Sequence, residues 1–502
     1  MNFTYNFTYT TMSCRGIPRL ALASALALSI GGCDTNKIVE VEDPAALRPD
    51  QVATAAAIPF LINGALRQFQ GGYSGFGDDS FLAASALISD ETFWGDTFPT
   101  RFAVDARILQ PTVLGNMTNN SFTRLMQGRR NARRAFGVVD EFTPDDLDNK
   151  ALLRTIEGYV YVTVSEGWCG SVPFSNLPDT GPLDPNEIED GVPLSTAEMN
   201  TAAIALFDEA LGFNSADRLA MIGKARALLN NGDFAGAAAA VATVPTTFVF
   251  HLEHSTNTGA ENNPQSALQQ NGRYFVSNLE GGLNADGTPL RPDANTHPAT
   301  APGGSAEGLN FRAARDPRVP WQQRPTNNGK CFTSSFLCWW NNNYFTLEAD
   351  VPLASGVEAR LIEAEAALRA GDPVTMMNRL NTVRASAATL IPGLHATQQQ
   401  VFPLTLDPLV DPGIGLLTPA EMFEARRALL FRERALWLYN TGHRQGDLRR
   451  LVRDYGFTSS QVFPSGPYAR GGSYGNDVSF PVPFNEQNNE EFDPATCVLT
   501  IA

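Results

Sequence analysis

Lysine is nearly missing from this 502-residue chain, which has only Lys37, Lys150, Lys224 and Lys330. Lys and Arg together number 37 against 53 Asp and Glu, for a formal net charge of −16. No basic stripe runs through the sequence, which argues against nucleic acid as a partner. Long apolar runs are equally scarce: beyond residues 20–30, nothing is extended enough to cross a bilayer. No CxxC pair is present, so a cysteine-based zinc site lacks its usual spacing. His251-Leu252-Glu253-His254 lacks the helical spacing of an HExxH zinc site and reads as a strand-like surface or loop segment. G-x-S-x-G, G-x-G-x-x-G and G-x-x-x-x-G-K-[ST] signatures have no supporting context, and no acid–base pair stands out. The carboxylate pairs Asp78-Asp79 and Glu363/Glu365 read as solvated faces. The expectation is a chain that is not an enzyme and carries neither metal nor other cofactor.

What is present begins with a leader. Arg15 and Arg19 precede the apolar run 20–30, which ends in Gly31-Gly32-Cys33. Basic residues, a short apolar core and small residues before a cysteine describe a bacterial lipoprotein signal peptide over residues 1–32. Cys33 is then the lipidated first residue of the mature protein. Residues 33–50 are polar and Pro-containing, a tether, and 51–502 form one domain of average hydrophobic content, able to build a core. Cys169, Cys331, Cys338 and Cys497 remain in that domain, an even number that suggests disulfides in an exported protein. Three pairings are open. Cys331 and Cys338 bracket a short loop and are the first choice, which leaves Cys169 with Cys497.

Helical periodicity dominates the domain. Helices are expected over 52–69 (ending at Gly71-Gly72), 81–89, 121–136 with an arginine-rich exposed face, 152–166 and 196–211, with an aromatic turn at 92–96. In residues 357–384, Leu361, Ala364, Ala367 and Leu368 form an apolar stripe. Gly371-Asp372-Pro373 stops that helix and starts another carrying Met376, Met377, Leu380 and Val383. Residues 225–244 align with 364–383 without a gap, Gly232-Asp233 falling on Gly371-Asp372. Two such helix–GD–helix units, near 216–244 and 354–385, resemble tetratricopeptide repeats interrupted by a long insertion. That insertion, 245–350, is rich in Asn, Gly, Pro and Thr, with strand-like pieces at 248–252 and 273–276. A loop region of this length is usually functional or disordered. Its second half holds Trp321, Trp339, Trp340, Tyr344 and Phe345. After 418 the chain returns to helix, and from Phe463 onward it reads as loop.

An ordered set of motifs makes the chain resemble SusD/RagB-type outer-membrane lipoproteins. The set comprises the lipidated Cys33, the acidic-Pro step Glu42-Asp43-Pro44, and Gly170 with Pro173 after an early helix. It continues with Asp316-Pro317-Arg318, the hairpin over 364–384, and Glu433-Arg434 with Gly442, Arg444, Asp447-Leu448 and Arg450. A Pro481-Val482-Pro483 strand leading to Glu486 completes it. Trp437 and Thr441 depart from the pattern at positions where the family usually has Glu.

The resemblance implies a mostly α fold, SusD-like, in which tetratricopeptide-like hairpins carry long irregular insertions and minor β structure. It implies a lipid-anchored protein of the outer membrane that binds a nutrient oligomer, glycan or peptide, and delivers it to a SusC-like TonB-dependent transporter. A scaffold lipoprotein organising envelope proteins is the alternative. Sugars offer C–H faces that stack on aromatic rings and hydroxyls that suit Asn, Asp and Arg. Trp339-Trp340-Asn341-Asn342-Asn343-Tyr344 supplies both beside a stapled loop, which is ordered before binding. The ligand-binding candidates are Trp94, Asp96, Trp321, Trp339, Trp340, Asn342 and Tyr344. Glu433, Arg434, Arg444 and Asp447 read as a structural ion network.

Overall fold

The computed structural model describes residues 54–75, 79–109, 117–176, 189–277, 309, 311–333, 337–468 and 470–502. Cys33, the leader, the tether and Asp78 lie outside the described residues. The first half is built from α1 (Ile58–Tyr73), α2 (Phe81–Ile88), β1 (Thr92–Trp94), α3 (Pro99–Asp105), α4 (Met117–Phe142) and α5 (Leu147–Gly167). Helix α1 runs through Gly71-Gly72, where the sequence suggested a stop. An added Cβ on Gly72 would come within 2.7 Å of Leu125 Cγ, and one on Gly128 within 2.9 Å of the Phe69 nitrogen. Here glycine serves close helix–helix approach between α1 and α4. The arginine face of α4 is not wholly exposed either: Arg129 is buried, donating to the Ser175 carbonyl and to Asn176 Oδ1.

Helix α6 (Thr196–Phe213) starts at a reciprocal cap, Ser195 accepting from the Glu198 nitrogen while the Glu198 carboxylate accepts from the Ser195 nitrogen. The two hairpins follow the sequence pattern closely. The first pairs α7 (Arg218–Asn230) with α8 (Phe234–Val241). Strand β2 (Val249–Leu252) then leads into the insertion, which contains α9 (Pro264–Gln270), β3 (Tyr274–Val276), α10 (Phe311–Ala314), β4 (Trp321–Gln323) and β5 (Trp339–Asn341). Strand β6 (Val351–Ser355) leads out of it, into the second hairpin, α11 (Gly356–Arg369) and α12 (Pro373–Ala385). In both hairpins a glycine with positive φ, Gly232 at 78° and Gly371 at 71°, is followed by an aspartate that caps the second helix. Leu361, Ala364, Leu368, Met376, Leu380 and Val383 are all buried, as the stripe demands.

Strands β2 and β6 pair antiparallel, with an irregularity between Phe250 and His251. This pairing brings the two ends of the insertion together, so a hundred residues leave and re-enter the helical scaffold at one place. His254, just past β2, is buried and does not lie on the surface: its Nε2 meets Ser74 Oγ at 3.1 Å. The chain closes with α13 (Ala387–Leu394), α14 (Pro419–Trp437), α15 (Arg444–Tyr455) and the short α16 (Ser459–Val462). The expected Pro481–Pro483 strand is not formed. Prolines offer no N–H to a ladder, and the segment makes one parallel bridge, Trp168 to Phe480, before a 3-10 turn at Phe484–Asn488. Cys169 and Cys497 are disulfide-bonded, tying the chain's end to the end of α5. Residues Val52–Ala502 make one compact unit. Among the described residues no helix is long and apolar enough to cross a membrane.

The C-terminal helices are held to the hairpins by buried ion pairs. Arg450 donates to both carboxylate oxygens of Glu365 at 2.9 Å and to Asp447 at 2.9 Å, while Arg434 takes Asp447 at 2.8 and 2.9 Å. Arg318 bridges Asp316 and Glu433, and Arg384 reaches Glu433 at 2.8 Å. Arg226 grips Glu358 at 2.8 and 2.9 Å. Burial alone would raise Glu358, but Arg226 and His443 outweigh it and hold the carboxyl at about 2. Glu365, expected on a solvated face, is a buried partner in these networks, Glu363 is buried and paired separately with Arg360 and Arg379, and Asp79 is partner to Arg101. At the two departures from the family pattern, Trp437 lies under Arg318, 5.1 Å from guanidinium to ring centre. Thr441 Oγ1 meets the Leu438 carbonyl at 2.6 Å and His443 Nδ1 at 2.8 Å.

Candidate functional site

The insertion's two-stranded ribbon, β4 with β5, pairs Trp321 with Asn341, Gln322 with Trp340 and Gln323 with Trp339. Side chains alternate across a strand, so Trp321 and Trp339 share one face and Trp340 lies on the other. The Cys331–Cys338 disulfide closes the connection just before β5. That stapled loop also hydrogen-bonds the neighbouring pair β1–β3, with Phe332 nitrogen to the Gly272 carbonyl at 2.9 Å and Thr333 nitrogen to the Gly95 carbonyl at 3.2 Å. Gly95 permits the approach: an added Cβ would stand 2.9 Å from the Gly272 carbonyl and 3.0 Å from Cys331 Sγ. The ribbon is therefore fixed on both sides.

On its outer face Trp321 and Trp339 are both half-buried, each with surface left over. The Arg312 guanidinium sits 3.6 Å above the Trp339 ring centre, and the Arg312 carbonyl accepts from Trp321 Nε1 at 2.9 Å. Phe402 meets Trp321 edge to face at 6.0 Å, and Arg315 lies 5.6 Å from the Phe402 ring. Phe402 arrives from the loop after α13, which is clamped to the ribbon's exit. Gln399 nitrogen donates to the Asn342 carbonyl at 3.0 Å, and Asn342 Nδ2 donates to the Gln399 carbonyl at 3.1 Å. Burial pushes the Arg312 guanidinium down to about 10.

The other candidates lie elsewhere. Trp94 is fully buried, edge to face with Tyr274 at 5.1 Å and tilted against Phe98, and belongs to strand β1 where a turn was expected. Asp96, also closed from solvent, is paired with Arg273 at 3.1 Å and accepts from the Thr97 nitrogen. Trp340 packs inward against Phe345. Tyr344 donates to the Asn440 carbonyl at 2.8 Å beneath His395. Asn342 is fully buried, and its amide links the ribbon to the loop after α13. These side chains are buried and packed inside the protein. Of the aromatic candidates, Trp321 and Trp339 are the two that keep surface on one face of the ribbon. The site gains Arg312, Arg315 and Phe402, which sequence reasoning missed. The cue for Arg312 was its place just before Asp316-Pro317-Arg318; Phe402 carried none.

The overall fold recurs in solved structures. NanU of B. fragilis matches over 90% of this chain and 98% of its own, with 13% identity and a TM-score of 0.55. A SusD superfamily protein from Bacteroides fragilis matches over 88% and 99%, with 14% identity and a TM-score of 0.54. The chain has the SusD-like fold. A SusD-like carbohydrate binding protein from Bacteroides vulgatus matches over 79% and 83%, at 13% identity and a TM-score of 0.53. No family model and no curated protein matches the sequence. Identities this low leave the ligand contacts to be read from this chain's own residues.

Proposed function

We propose that this SusD-like chain is a lipoprotein, acylated at Cys33 and held at the outer membrane, that binds an oligosaccharide on the Trp321–Trp339 platform. It then hands the ligand to a SusC-like TonB-dependent transporter and carries out no chemistry on it. The observation that carries the glycan reading is the platform itself: two half-exposed indoles on one face of a disulfide-stapled ribbon, flanked by arginines. Indole faces stack on sugar C–H surfaces, guanidinium groups suit ring hydroxyls, and a pre-ordered ribbon loses little entropy on binding. Structural similarity to a carbohydrate binding protein supports the same reading. Anchoring and delivery rest on the Gly31-Gly32-Cys33 leader and on the resemblance already described.

The test has two arms. The lipidated, tagged chain is isolated from its native membrane in mild detergent, and near-stoichiometric recovery of a TonB-dependent β-barrel is expected. Recovery alone, or only with periplasmic proteins, contradicts delivery and favours the scaffold role. In parallel, an oligosaccharide panel is screened against the chain and its Trp339→Ala and Trp321→Ala variants. Binding that survives both substitutions contradicts the platform.

A further inference from the structure

Arginine is treated differently here from elsewhere in the protein. Where a guanidinium is buried in the scaffold, it meets acceptors: carboxylates for Arg226 (Glu358), Arg318 (Glu433), Arg434 (Asp447) and Arg450 (Glu365), and backbone carbonyls for Arg107 and Arg449. Arg312 is half-buried, yet among the described residues its side chain has no carboxylate and no hydrogen-bond acceptor; it has only the Trp339 ring. Its burial is uncompensated, and desolvation is the whole cause of its lowered affinity for the proton. Arg315, three residues on, is exposed, and among the described residues its guanidinium meets only the Phe402 ring. Two guanidiniums without counter-ions therefore flank the same aromatic face. The chain bears a net charge of −16, so an anion approaching at random is repelled. A locally cationic platform on so acidic a protein needs a specific reason.

We propose that the platform selects anionic glycans, an acidic group on the sugar bridging Arg312 and Arg315 while its ring stacks on Trp339 or Trp321. The inference rests on the glycan reading above and narrows its ligand class. A carboxylate or a sulfate ester fits a planar guanidinium fork, and either completes the missing charge pairing on Arg312. Stacking by Trp339 holds the fork in place before the ligand arrives, because the ring covers one guanidinium face and leaves the N–H edges open.

Binding of the full chain is measured by calorimetry to three probes: an oligogalacturonide for carboxylate, dextran sulfate for sulfate ester, and maltohexaose as a neutral sugar. At least one acidic probe is expected to bind more tightly than maltohexaose, and which one does so identifies the acidic group. The Arg312→Gln/Arg315→Gln double variant is expected to weaken acidic binding roughly ten- to a hundredfold, the range for a lost charge-assisted hydrogen bond. Arg312→Lys/Arg315→Lys, which keeps the charge, restores part of the loss, and added salt weakens acidic binding in the native chain. Failure of both acidic probes to bind, or acidic binding indifferent to the double variant, overturns the proposal. If maltohexaose then binds in a Trp339-dependent way, only the anionic class has failed and the platform stands. If binding of every probe ignores Trp339→Ala and Trp321→Ala, the platform reading falls as well.

Discussion

Two regions of this molecule handle the same residue types in opposite ways. In the hairpins and C-terminal helices, buried arginines meet carboxylates or backbone carbonyls, and Phe431, Trp437 and Tyr439 are closed from water. On the β4–β5 ribbon, Arg312 and Arg315 lack counter-ions among the described residues, and two tryptophans keep part of their surface. The first arrangement makes each charge depend on its neighbour, so that removing one partner strands the other. The second leaves groups unsatisfied that folding alone gives no reason to expose. Scaffold and platform can be told apart by this satisfaction of polar and aromatic groups alone.

Mutation should sharpen that contrast. Glu365→Ala takes the two-pronged partner from Arg450, leaving it only Asp447, weakens the hold on Arg434, and should cost about 3–5 kcal/mol in chemical denaturation. Arg312→Gln removes a cation that nothing pairs, and should change stability by no more than about 0.5 kcal/mol in the same measurement. Equal losses in the two variants would erase the distinction. Replacing Cys331 and Cys338 by serine opens a short loop and should cost about 2–3 kcal/mol by chain entropy, read as a fall in the denaturation midpoint. Gly128→Ala places a methyl against the Phe69 backbone, and should cost about 1–3 kcal/mol with glycan binding unchanged.

A further expected effect is one of pH. Asp105 is buried, accepting from Tyr468 Oη at 2.6 Å and the Trp94 nitrogen at 3.2 Å, and it interacts with Asp90, which Tyr474 approaches at 2.5 Å. Burial raises the Asp105 carboxyl to about 7 despite those hydrogen bonds and the nearby Arg470. The folded protein therefore keeps this proton up to about pH 7, whereas the unfolded chain releases it near pH 4. The stability linked to the proton is complete below pH 4 and lost as pH rises through 7. Asp105→Asn should flatten stability between those limits, measured by thermal denaturation across the range; an unchanged slope would assign it to another group.

How much of this was legible in the sequence depended on range. The hairpins were, because stripe, glycine stop and aspartate cap all act within a few residues, and both turns carry the same Gly-Asp. Gly71-Gly72 misled, since Gly72 makes room for Leu125, more than fifty positions away on another helix. Among the aromatics, type and spacing could not separate Trp94 from Trp339. Tyr274 and Phe98 bury the first, while the second, packed against Phe275 and covered by Arg312, keeps part of its surface. Asn342 looked like a sugar ligand because an amide suits hydroxyls equally well as it suits Gln399. The ring of Phe402 reaches the platform through backbone hydrogen bonds at Gln399, which no local pattern announces.

A groove elsewhere on the molecule offers the sharpest contrast for a direct test. It measures about 690 Å³ between the hairpins and is lined by Ala235, Ala239, Glu363, Arg369 and Arg379, with one aromatic, Phe234. Hydroxyl-radical footprinting by mass spectrometry, with and without the tightest-binding oligosaccharide of the panel, distinguishes the two places in one experiment. The account predicts ligand protection at Trp321, Trp339 and Phe402, with Phe234 in the groove oxidised equally in both states. Protection of Phe234 while Trp321 and Trp339 remain as reactive as before would contradict it.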